Sequence, residues 1–233
     1  MLQMSSEIKF FHQNIYSKLF GLLIIFSWLI LNYFVLFVTR IDPYQEMAQK
    51  IFYFHVPSAW VAGIAYLVVM ISGINYLRTK NNYWDYVGYA SAEIGTIFCA
   101  LVLITGPIWA TPIWGTSWSW EPRLTTVLIM FLIYLGYFSV RNFGKSLTTI
   151  KSISATIGVL AFLNVPIIYF SVKFWAEEVQ LHPQPEMMTQ PVDIYYTFLF
   201  SLIVFFMIYI YLLNYRIHIL KIKSKLENIL EDY

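Results

Sequence analysis

The sequence contains little charge and almost no cysteine. Only 12% of its 233 residues are charged, whereas 59% are hydrophobic, a composition too apolar for an ordinary soluble domain. The net charge of +2 is too small to indicate a nucleic-acid-binding surface. The single cysteine, Cys99, excludes a disulfide framework, and without a C-x-x-C-H attachment site the chain is not itself a c-type cytochrome. This composition is typical of a protein embedded in a lipid bilayer.

Six apolar stretches are long enough to cross a bilayer. The first, residues 19–38, contains no charge, and a spanning helix needs about 20 predominantly apolar residues. The others lie at residues 57–77, 90–109, 124–140, 153–172 and 194–213. A cleaved signal peptide is the competing interpretation of the first stretch, but the run is too long and no small-x-small cleavage site follows it. Because backbone groups in hydrocarbon must bond internally, we expect an all-α integral membrane protein, one domain over residues 1–233 with six transmembrane helices.

The distribution of positive charge predicts which side of the membrane each loop faces, because lysine and arginine concentrate in cytoplasmic loops. Of the 15 lysines and arginines, eleven lie on the side of the N-terminus. The remaining four are Arg40, Lys50, Arg123 and Lys173. With six spans, this asymmetry predicts that both termini are cytoplasmic and that the loops at residues 39–56, 110–123 and 173–193 face outward.

Those three outward loops carry the residues with the most distinctive chemistry. The first contains His55, and the third contains His182. The second contains Trp114, Trp118 and Trp120 within seven residues. Two histidines from distant parts of the sequence are therefore expected at one membrane face, with a tryptophan cluster between them.

More than one ligand suits a histidine pair, because neutral imidazole binds zinc, copper, iron and haem iron. Zinc usually takes three or four protein ligands, and the acidic residues of the third loop could complete such a site. Haem needs two axial ligands, a broad apolar surface and cations for its propionates. His55 and His182, the indole planes of the second loop, and Arg123 with Lys50 match those needs. Gly115 lets the loop approach a ligand without a bulky side chain.

Purely structural interpretations exist for most of these residues. Tryptophan is enriched at membrane interfaces, so Trp60, Trp109 and Trp175 fit an aromatic belt as well as they fit a ligand site. A histidine at an interface is as common as a ligating one, and only the density of the 114–120 cluster argues clearly for a ligand. Glu93 lies inside a predicted span and is a functional candidate by default, but bonding to neighbouring helices is the favoured reading.

Residues 114–125, Trp-Gly-Thr-Ser-Trp-Ser-Trp-Glu-Pro-Arg-Leu-Thr, resemble the tryptophan-rich signature of the haem-handling protein family. The Arg-Leu-Thr ending is similar to the CcmC branch of that family. His-Val-Pro-Ser-Ala-Trp at residues 55–60 is similar to the family's first external histidine motif, and His182 stands where the second is expected. Two positions depart from the family pattern: Glu121 replaces the usual aspartate, and Lys50 replaces the usual arginine and loses its bidentate fork.

The resemblance implies a function and a set of site residues. His55 and His182 would be the axial ligands of a transiently bound, externally exposed haem b. The edge of that haem would rest on Trp114, Gly115, Trp118, Trp120 and Glu121, with Arg123 and Lys50 near its propionates. Such a protein would deliver haem to the chaperone CcmE for cytochrome c maturation.

The resemblance also implies partners and a location. Besides CcmE, the partners would be the small membrane protein CcmD, the ABC transporter subunits CcmA and CcmB, and membrane lipid. The location would be the bacterial cytoplasmic (inner) membrane with the site facing the periplasm, or else the mitochondrial inner membrane.

Two other functions remain open from sequence. A haem exporter channel is one, although Glu93 is the only acidic residue that would line the predicted spans. A direct cytochrome c haem lyase is the other, but the larger synthases that it would resemble carry histidines inside their spans, whereas none of the four histidines here lies in a predicted span. Delivery of haem needs no nucleophile or acid–base pair, so the sequence favours a haem-binding transfer protein over a catalyst in its own right, without deciding whether the chain is an enzyme.

Overall fold

The computed structural model describes residues 15–143, 147–174 and 190–231. Within them the chain forms seven α-helices: α1 Ile15–Tyr33, α2 Phe52–Thr79, α3 Asn82–Trp114, α4 Pro122–Phe143, α5 Leu147–Ala161, α6 Asn164–Phe174 and α7 Val192–Glu231. A π-helical turn, Phe34–Val38, extends α1, and a 3-10 helix, Met47–Ile51, leads into α2. Together they make six helical segments long and apolar enough to cross a membrane, as the sequence predicts. The described part of the chain contains no β-strand.

Two of the loops that are predicted to face outward are shorter than the sequence predicts. The second helical segment covers Met47–Thr79 and the third covers Asn82–Trp114, so residues 47–56 and 110–114 are helical rather than loop. A predicted apolar stretch ends where polar residues begin, but the helix itself continues until it reaches a residue whose backbone conformation ends it. Gly115 has a φ of 71°, and this left-handed conformation ends α3. His55 therefore lies in the first turn of α2, on a helix.

Helix α2 lies at the centre of the bundle and packs along α3, α5 and α7. Glycines make these approaches close. A Cβ added at Gly95 would lie 2.8 Å from Ala65 Cβ, and one added at Gly73 would lie 2.8 Å from the backbone oxygen of Ala155. Small residues at helix contacts let backbones approach in a membrane, where van der Waals packing is a main source of association energy. These contacts fix the position of α2 relative to α3 and α5.

The fifth span is divided into α5 and α6 by a break at residues 162–163. Pro166 has no N–H to donate to the carbonyl of Phe162, and its ring clashes with that carbonyl. The side chain of Asn164 donates a hydrogen bond of 2.8 Å to the backbone oxygen of Thr126, which fastens the break to α4. The break in the fifth span therefore lies beside the first turns of α4.

Two ion pairs join helices at the end of the bundle away from His55, called here the opposite end. Arg141 of α4 bonds to Asp85 of α3 at 2.6 and 3.0 Å. Arg216 of α7 bonds to Glu93 of α3 at 2.6 and 2.8 Å. Tyr89 lies between the two guanidinium groups, 4.3 Å and 5.9 Å from its ring centroid. Glu93 therefore bonds to a neighbouring helix, which is the structural role favoured from sequence.

Candidate functional site

The imidazole of His55 is half-buried between α2 and α3. Its Nδ1 atom lies 2.9 Å from the Thr105 hydroxyl oxygen. That hydroxyl donates its only proton to the backbone oxygen of Leu101 at 2.7 Å, so it accepts from Nδ1–H. Nε2 is then the ring nitrogen that carries the lone pair, the form in which histidine ligates a metal. A hydrogen bond from the other ring nitrogen is the usual support for a ligating histidine.

Two further residues of α3 surround the imidazole. A Cβ added at Gly106 would lie 3.3 Å from His55 Cε1, so the absence of a side chain there makes room for the ring. The ring of Trp109 meets the imidazole edge-on, with centroids 5.5 Å apart and planes at 67°. Trp109 also donates its indole N–H to the Gln45 side-chain oxygen at 3.1 Å. Trp109 therefore joins the first loop to the histidine, besides any role as a belt residue.

The structure places Lys50 below the surface, next to the end of the first span. Its side chain is buried, and Nζ donates to the backbone oxygens of Thr39 at 2.5 Å and Arg40 at 3.4 Å. These carbonyls lie just past the end of the π-helical turn. The C-terminal end of a helix carries a partial negative charge, so a cation is favourable there. In this structure the ammonium of Lys50 holds the first span to the start of the second, and its predicted contact with a propionate stays a prediction.

The first loop is also fastened to the start of α7, where the third loop ends. Arg40 Nε lies 2.8 Å from Asp193 Oδ1, and the Arg40 backbone N–H donates to Asp193 Oδ2 at 2.9 Å. The hydroxyls of Thr39 and Thr197 lie 2.8 Å apart. His182 falls outside the described residues; α7, the next described helix after it in the chain, begins beside the first loop.

The tryptophan loop, residues 114–120, begins where α3 ends. Gly115 donates its N–H to the backbone oxygen of Thr111 at 3.0 Å, in a left-handed conformation that other residues adopt only at a cost. No neighbouring atom lies within 4 Å of a Cβ added there, so the backbone angle, rather than close packing, requires glycine. Trp118 and Trp120 stack edge to face, with centroids 5.7 Å apart. Trp120 is 76% exposed and presents its indole plane at this end of the bundle.

Three hydrogen-bonding groups near this loop are buried without a partner among the described residues: Trp118 Nε1, Ser119 Oγ and Thr125 Oγ1. An unsatisfied buried donor costs roughly 1–3 kcal/mol. All three can donate, so an acceptor is the group that would satisfy them. A carboxylate such as a haem propionate is an acceptor of that kind.

Glu121 and Arg123 lie close to each other in sequence at the start of α4. Glu121 is almost fully buried, with 2% exposure, whereas Arg123 is partly buried. The Glu121 carboxylate is near enough to act on the Arg123 guanidinium through its charge.

Sequence reasoning missed Thr105 and Gly106 and left Trp109 open between a belt residue and a ligand contact. The available signal was the spacing of Thr105 and Trp109, which places both on one face of α3. The same helix connects the histidine to the tryptophan loop, since Trp114 lies nine residues, or about 14 Å, beyond Thr105. In the part of the chain that the structure describes, no group of three histidine, cysteine or acidic residues could hold a metal ion.

Comparison with known proteins identifies related chains. A family model described as CcmC, heme exporter protein C, matches residues 3–230. A putative cytochrome c biosynthesis ccmC-like mitochondrial protein of Marchantia polymorpha is 38% identical over 157 residues, 66% of each chain. Heme exporter protein C of Bradyrhizobium diazoefficiens is 38% identical over 58% of this chain and 51% of its own length, and that of Escherichia coli K12 is 30% identical over 65% and 61%.

The chain thus spans between about half and two thirds of the length of the curated relatives it matches. The family model, in contrast, covers nearly all of the chain, including every helix described above except the last residue of α7. Six membrane-spanning helical segments agree with a multi-pass membrane protein. The chain belongs to the CcmC family, heme exporter protein C.

Proposed function

We propose that this protein binds haem b transiently at the end of the bundle that carries His55 and the tryptophan loop, and delivers it to the haem chaperone CcmE for cytochrome c maturation. The names of its relatives, heme exporter protein C and cytochrome c biosynthesis protein, point to this process. The setting of His55 supports the proposal most strongly. Its Nδ1 is held by Thr105 at 2.9 Å, so Nε2 carries the lone pair that an iron atom needs.

The chemistry of the tryptophan loop supports the same ligand. Exposed Trp120 offers a rigid apolar plane for one side of a porphyrin. The buried, unpartnered donors of Trp118, Ser119 and Thr125 suit the carboxylates at its polar edge, and Arg123 adds a cation close to them. An apolar plane beside a group of donors matches a molecule that is half apolar and half anionic.

The second axial ligand that we propose is His182. The resemblance of the chain to the family assigns it, and the bonds from Thr39 and Arg40 to α7 bring the end of its loop beside the first loop. A site with two side-chain ligands on a surface can exchange one of them for a ligand from a partner. That exchange gives CcmE access to the haem without any catalytic group on this chain.

The orientation and the partners complete the proposal. The positive residues concentrate at the opposite end, so the haem site faces the periplasm of a bacterial inner membrane and both termini lie in the cytoplasm. CcmD and the transporter subunits CcmA and CcmB are the further partners that the family resemblance implies. A mitochondrial inner membrane is the other location, because one similar protein is named as mitochondrial.

A haem channel through the bundle is the alternative that the packing disfavours. Such a channel needs polar or open lining, and the acidic side chains within the described spans are already bonded. Glu93 pairs with Arg216, and Asp85 pairs with Arg141. Uptake of haem by vesicles without CcmE would be the evidence for a channel.

The proposal is tested with the purified protein and co-expressed CcmE. Visible spectra and covalent loading of CcmE are compared between wild type, His55→Ala and His182→Ala. His218→Ala is the matched control, because His218 lies on α7 at the opposite end. We expect each site variant to change the low-spin haem spectrum and to prevent loading of CcmE, and the control to behave as wild type. Haem binding and loading that are indifferent to both site histidines would overturn the proposal.

A further inference from the structure

A proline interrupts the hydrogen bonding of α2 close to His55. Pro57 lies inside the helix, two residues after the histidine, and it is buried. In an α-helix the N–H of residue 57 would donate to the backbone oxygen of Tyr53. Proline has no N–H, so this oxygen loses its partner within the helix. The turn that carries His55 therefore lacks one of the bonds that hold a helical turn together.

The hydroxyl of Ser201 on α7 takes the place of the missing N–H. Its Oγ atom donates a hydrogen bond to the backbone oxygen of Tyr53. Both residues are fully buried, with 0% exposure, so solvent does not reach this oxygen. In a membrane a backbone oxygen without a donor is costly, and serine side chains of neighbouring helices can satisfy the groups that a proline leaves free. Ser201 thus completes the hydrogen bonding of a helix to which it does not belong.

The bond from Ser201 differs from those of other helical serines in this protein. A serine inside a helix usually donates to the carbonyl four residues before it in the same helix. Ser58 donates in this way to Phe54 at 2.7 Å, and Ser72 donates to Val68 at 2.6 Å. The hydroxyl of Ser201 instead crosses from α7 to α2, to the one carbonyl near His55 that Pro57 leaves without a helical donor.

Ser201 belongs to a row of polar residues on one face of α7. Asp193, Thr197 and Ser201 are spaced four residues apart, which places them on the same side of the helix. Asp193 pairs with Arg40, and the hydroxyl of Thr197 lies 2.8 Å from that of Thr39. Polar side chains that bond between helices help to fix their packing in a membrane. The row therefore holds α7 against the segment after the first span and against the first turn of α2.

Aromatic side chains form a second contact between α7 and this turn. The ring centroid of Phe198 lies 5.0 Å from that of Phe52, the first residue of α2, and Phe52 lies 6.0 Å from Trp109. Trp109 in turn meets the imidazole of His55. Apolar packing is not directional, whereas a hydrogen bond has a preferred distance and angle. The bond from Ser201 is therefore the contact that sets the position of the backbone beside His55.

The backbone position of this turn matters for the imidazole. The 2.9 Å contact between His55 Nδ1 and the Thr105 hydroxyl requires α2 to hold the ring at one place relative to α3. Without a donor for the Tyr53 oxygen, the turn would rearrange to find one and would carry the ring with it. A hydrogen bond weakens steeply as its angle departs from linear, so the bond from Nδ1–H to Thr105 would weaken as well.

We propose that Ser201 is a positioning residue for His55. Its hydroxyl supplies the hydrogen bond that Pro57 cannot make, and it thereby holds the imidazole in the place and the tautomer that suit haem ligation. The inference rests on the proposed function, because it concerns the ligand assigned there. It adds a role for α7, a helix that contributes no ligand of its own among the described residues.

A double-mutant cycle in the full-length protein in detergent tests the proposal. Pro57→Ala restores an N–H for the Tyr53 oxygen, so the hydroxyl of Ser201 should matter only while residue 57 is proline. We expect Ser201→Ala to raise the Kd for haem by roughly tenfold in the wild-type background. In the Pro57→Ala background the same change should raise it by less than about twofold. Equal losses in the two backgrounds, or no loss in either, would overturn the proposal.

The tautomer of His55 gives a second readout that needs no haem. Nitrogen NMR of protein with isotope-labelled histidine distinguishes protonated from unprotonated ring nitrogens, and His55→Ala identifies the signal. We expect a proton on Nδ1 at neutral pH in the wild type, a mixture of tautomers in Ser201→Ala, and the wild-type tautomer again when Pro57→Ala is added. The same tautomer in all three proteins would contradict the role of Ser201. If the tautomer depends on Ser201 while haem binding is indifferent to His55, the proposed function fails and the positioning of His55 by Ser201 stands.

Two further variants separate positioning from a general loss of packing. Ser72→Ala removes a similarly buried hydroxyl, but its acceptor, the backbone oxygen of Val68, keeps the N–H of its own helix. Ser72 lies 17 residues beyond His55, or about 25 Å along α2, so haem affinity and tautomer should stay as in the wild type. Ser201→Cys keeps the size of the side chain with a weaker donor, and it replaces Ser201→Ala in the cycle if the alanine variant does not fold. A loss of haem affinity in Ser72→Ala as large as that in the Ser201 variants would overturn the proposal.

Discussion

The imidazole of His55 and the hydroxyl of Thr105 are 2.9 Å apart, across the contact between α2 and α3. Because the hydroxyl proton is already donated to Leu101, this contact sets the tautomer of the histidine. The pair therefore connects helix packing to the iron ligation that we propose for His55.

Thr105→Val should weaken haem binding without removing it. Valine keeps the shape of threonine but cannot accept the Nδ1–H, so the ring loses its orientation and its preferred tautomer. Loss of such an outer partner typically costs about 10- to 100-fold in ligand affinity. The measurement is a haem titration followed by visible spectroscopy. Thr156→Val is the control, since Thr156 on α5 makes the same type of bond to a backbone oxygen at 3.0 Å. A Thr105→Val protein with the wild-type affinity would contradict this assignment.

The unpartnered donors near the tryptophan loop predict a preference for free propionates. Wild-type protein should bind haem more tightly than haem dimethyl ester, whose carboxylates are masked. Ser119→Ala combined with Thr125→Val removes two donors, and at about 0.5–1.5 kcal/mol each this should reduce the preference by roughly tenfold. Competition between the two porphyrins gives the ratio directly.

The control for this pair is Thr126→Val. Thr126 is adjacent to Thr125, but its hydroxyl already donates to the backbone oxygen of Pro122 at 2.7 Å. It should therefore leave the preference unchanged. If the double variant keeps the full preference for free haem, the propionates bind elsewhere, with Arg123 the next candidate to examine.

The spans were predictable because membrane insertion leaves a strong composition signal. Five of the six predicted apolar runs lie inside one helical segment each, and the run at residues 153–172 is divided between α5 and α6. The position of His55 was less predictable. Hydropathy falls at His55, just before the predicted run begins, yet the helix itself continues back to Phe52. Hydropathy reports where lipid contacts a helix, whereas the ends of a helix depend on capping.

The surroundings of the site were beyond sequence reasoning for a different reason. Thr105 and Trp109 contact His55 only because α2 and α3 pack in one register, which small residues such as Gly95 determine. Lys50 was interpreted by its charge as a partner for an anion, but its burial against the carbonyls of Thr39 and Arg40 depends on how the first loop folds. The hydrophobic periodicity of a sequence indicates which face of a helix is buried. It does not indicate which residues of two helices contact each other.

Gly115→Ala should destabilise the end of α3. A residue with a Cβ in the left-handed conformation at φ 71° costs about 1–2 kcal/mol, and the tryptophan loop that follows would be displaced. We expect a lower melting temperature together with weaker haem binding. Gly63→Ala is the control, because Gly63 is helical and no atom lies within 4 Å of an added Cβ. An unchanged melting temperature for Gly115→Ala would show that the loop adopts another ending.

The ion pair between Glu93 and Arg216 should matter for stability and not for haem. Glu93→Gln leaves the half-buried guanidinium with a neutral partner, and a lost charged hydrogen bond costs about 1.5–3 kcal/mol, less here because the Arg216 side chain is 35% exposed. The double variant Glu93→Gln, Arg216→Gln should recover part of that loss, since it removes the uncompensated charge. Thermal unfolding of the four proteins in detergent gives the coupling. The haem spectrum should stay unchanged throughout, because both residues lie at the end of the bundle away from His55. Loss of haem binding in Glu93→Gln with stability intact would instead place this carboxylate on a path for haem through the membrane, and would favour the channel over the surface site.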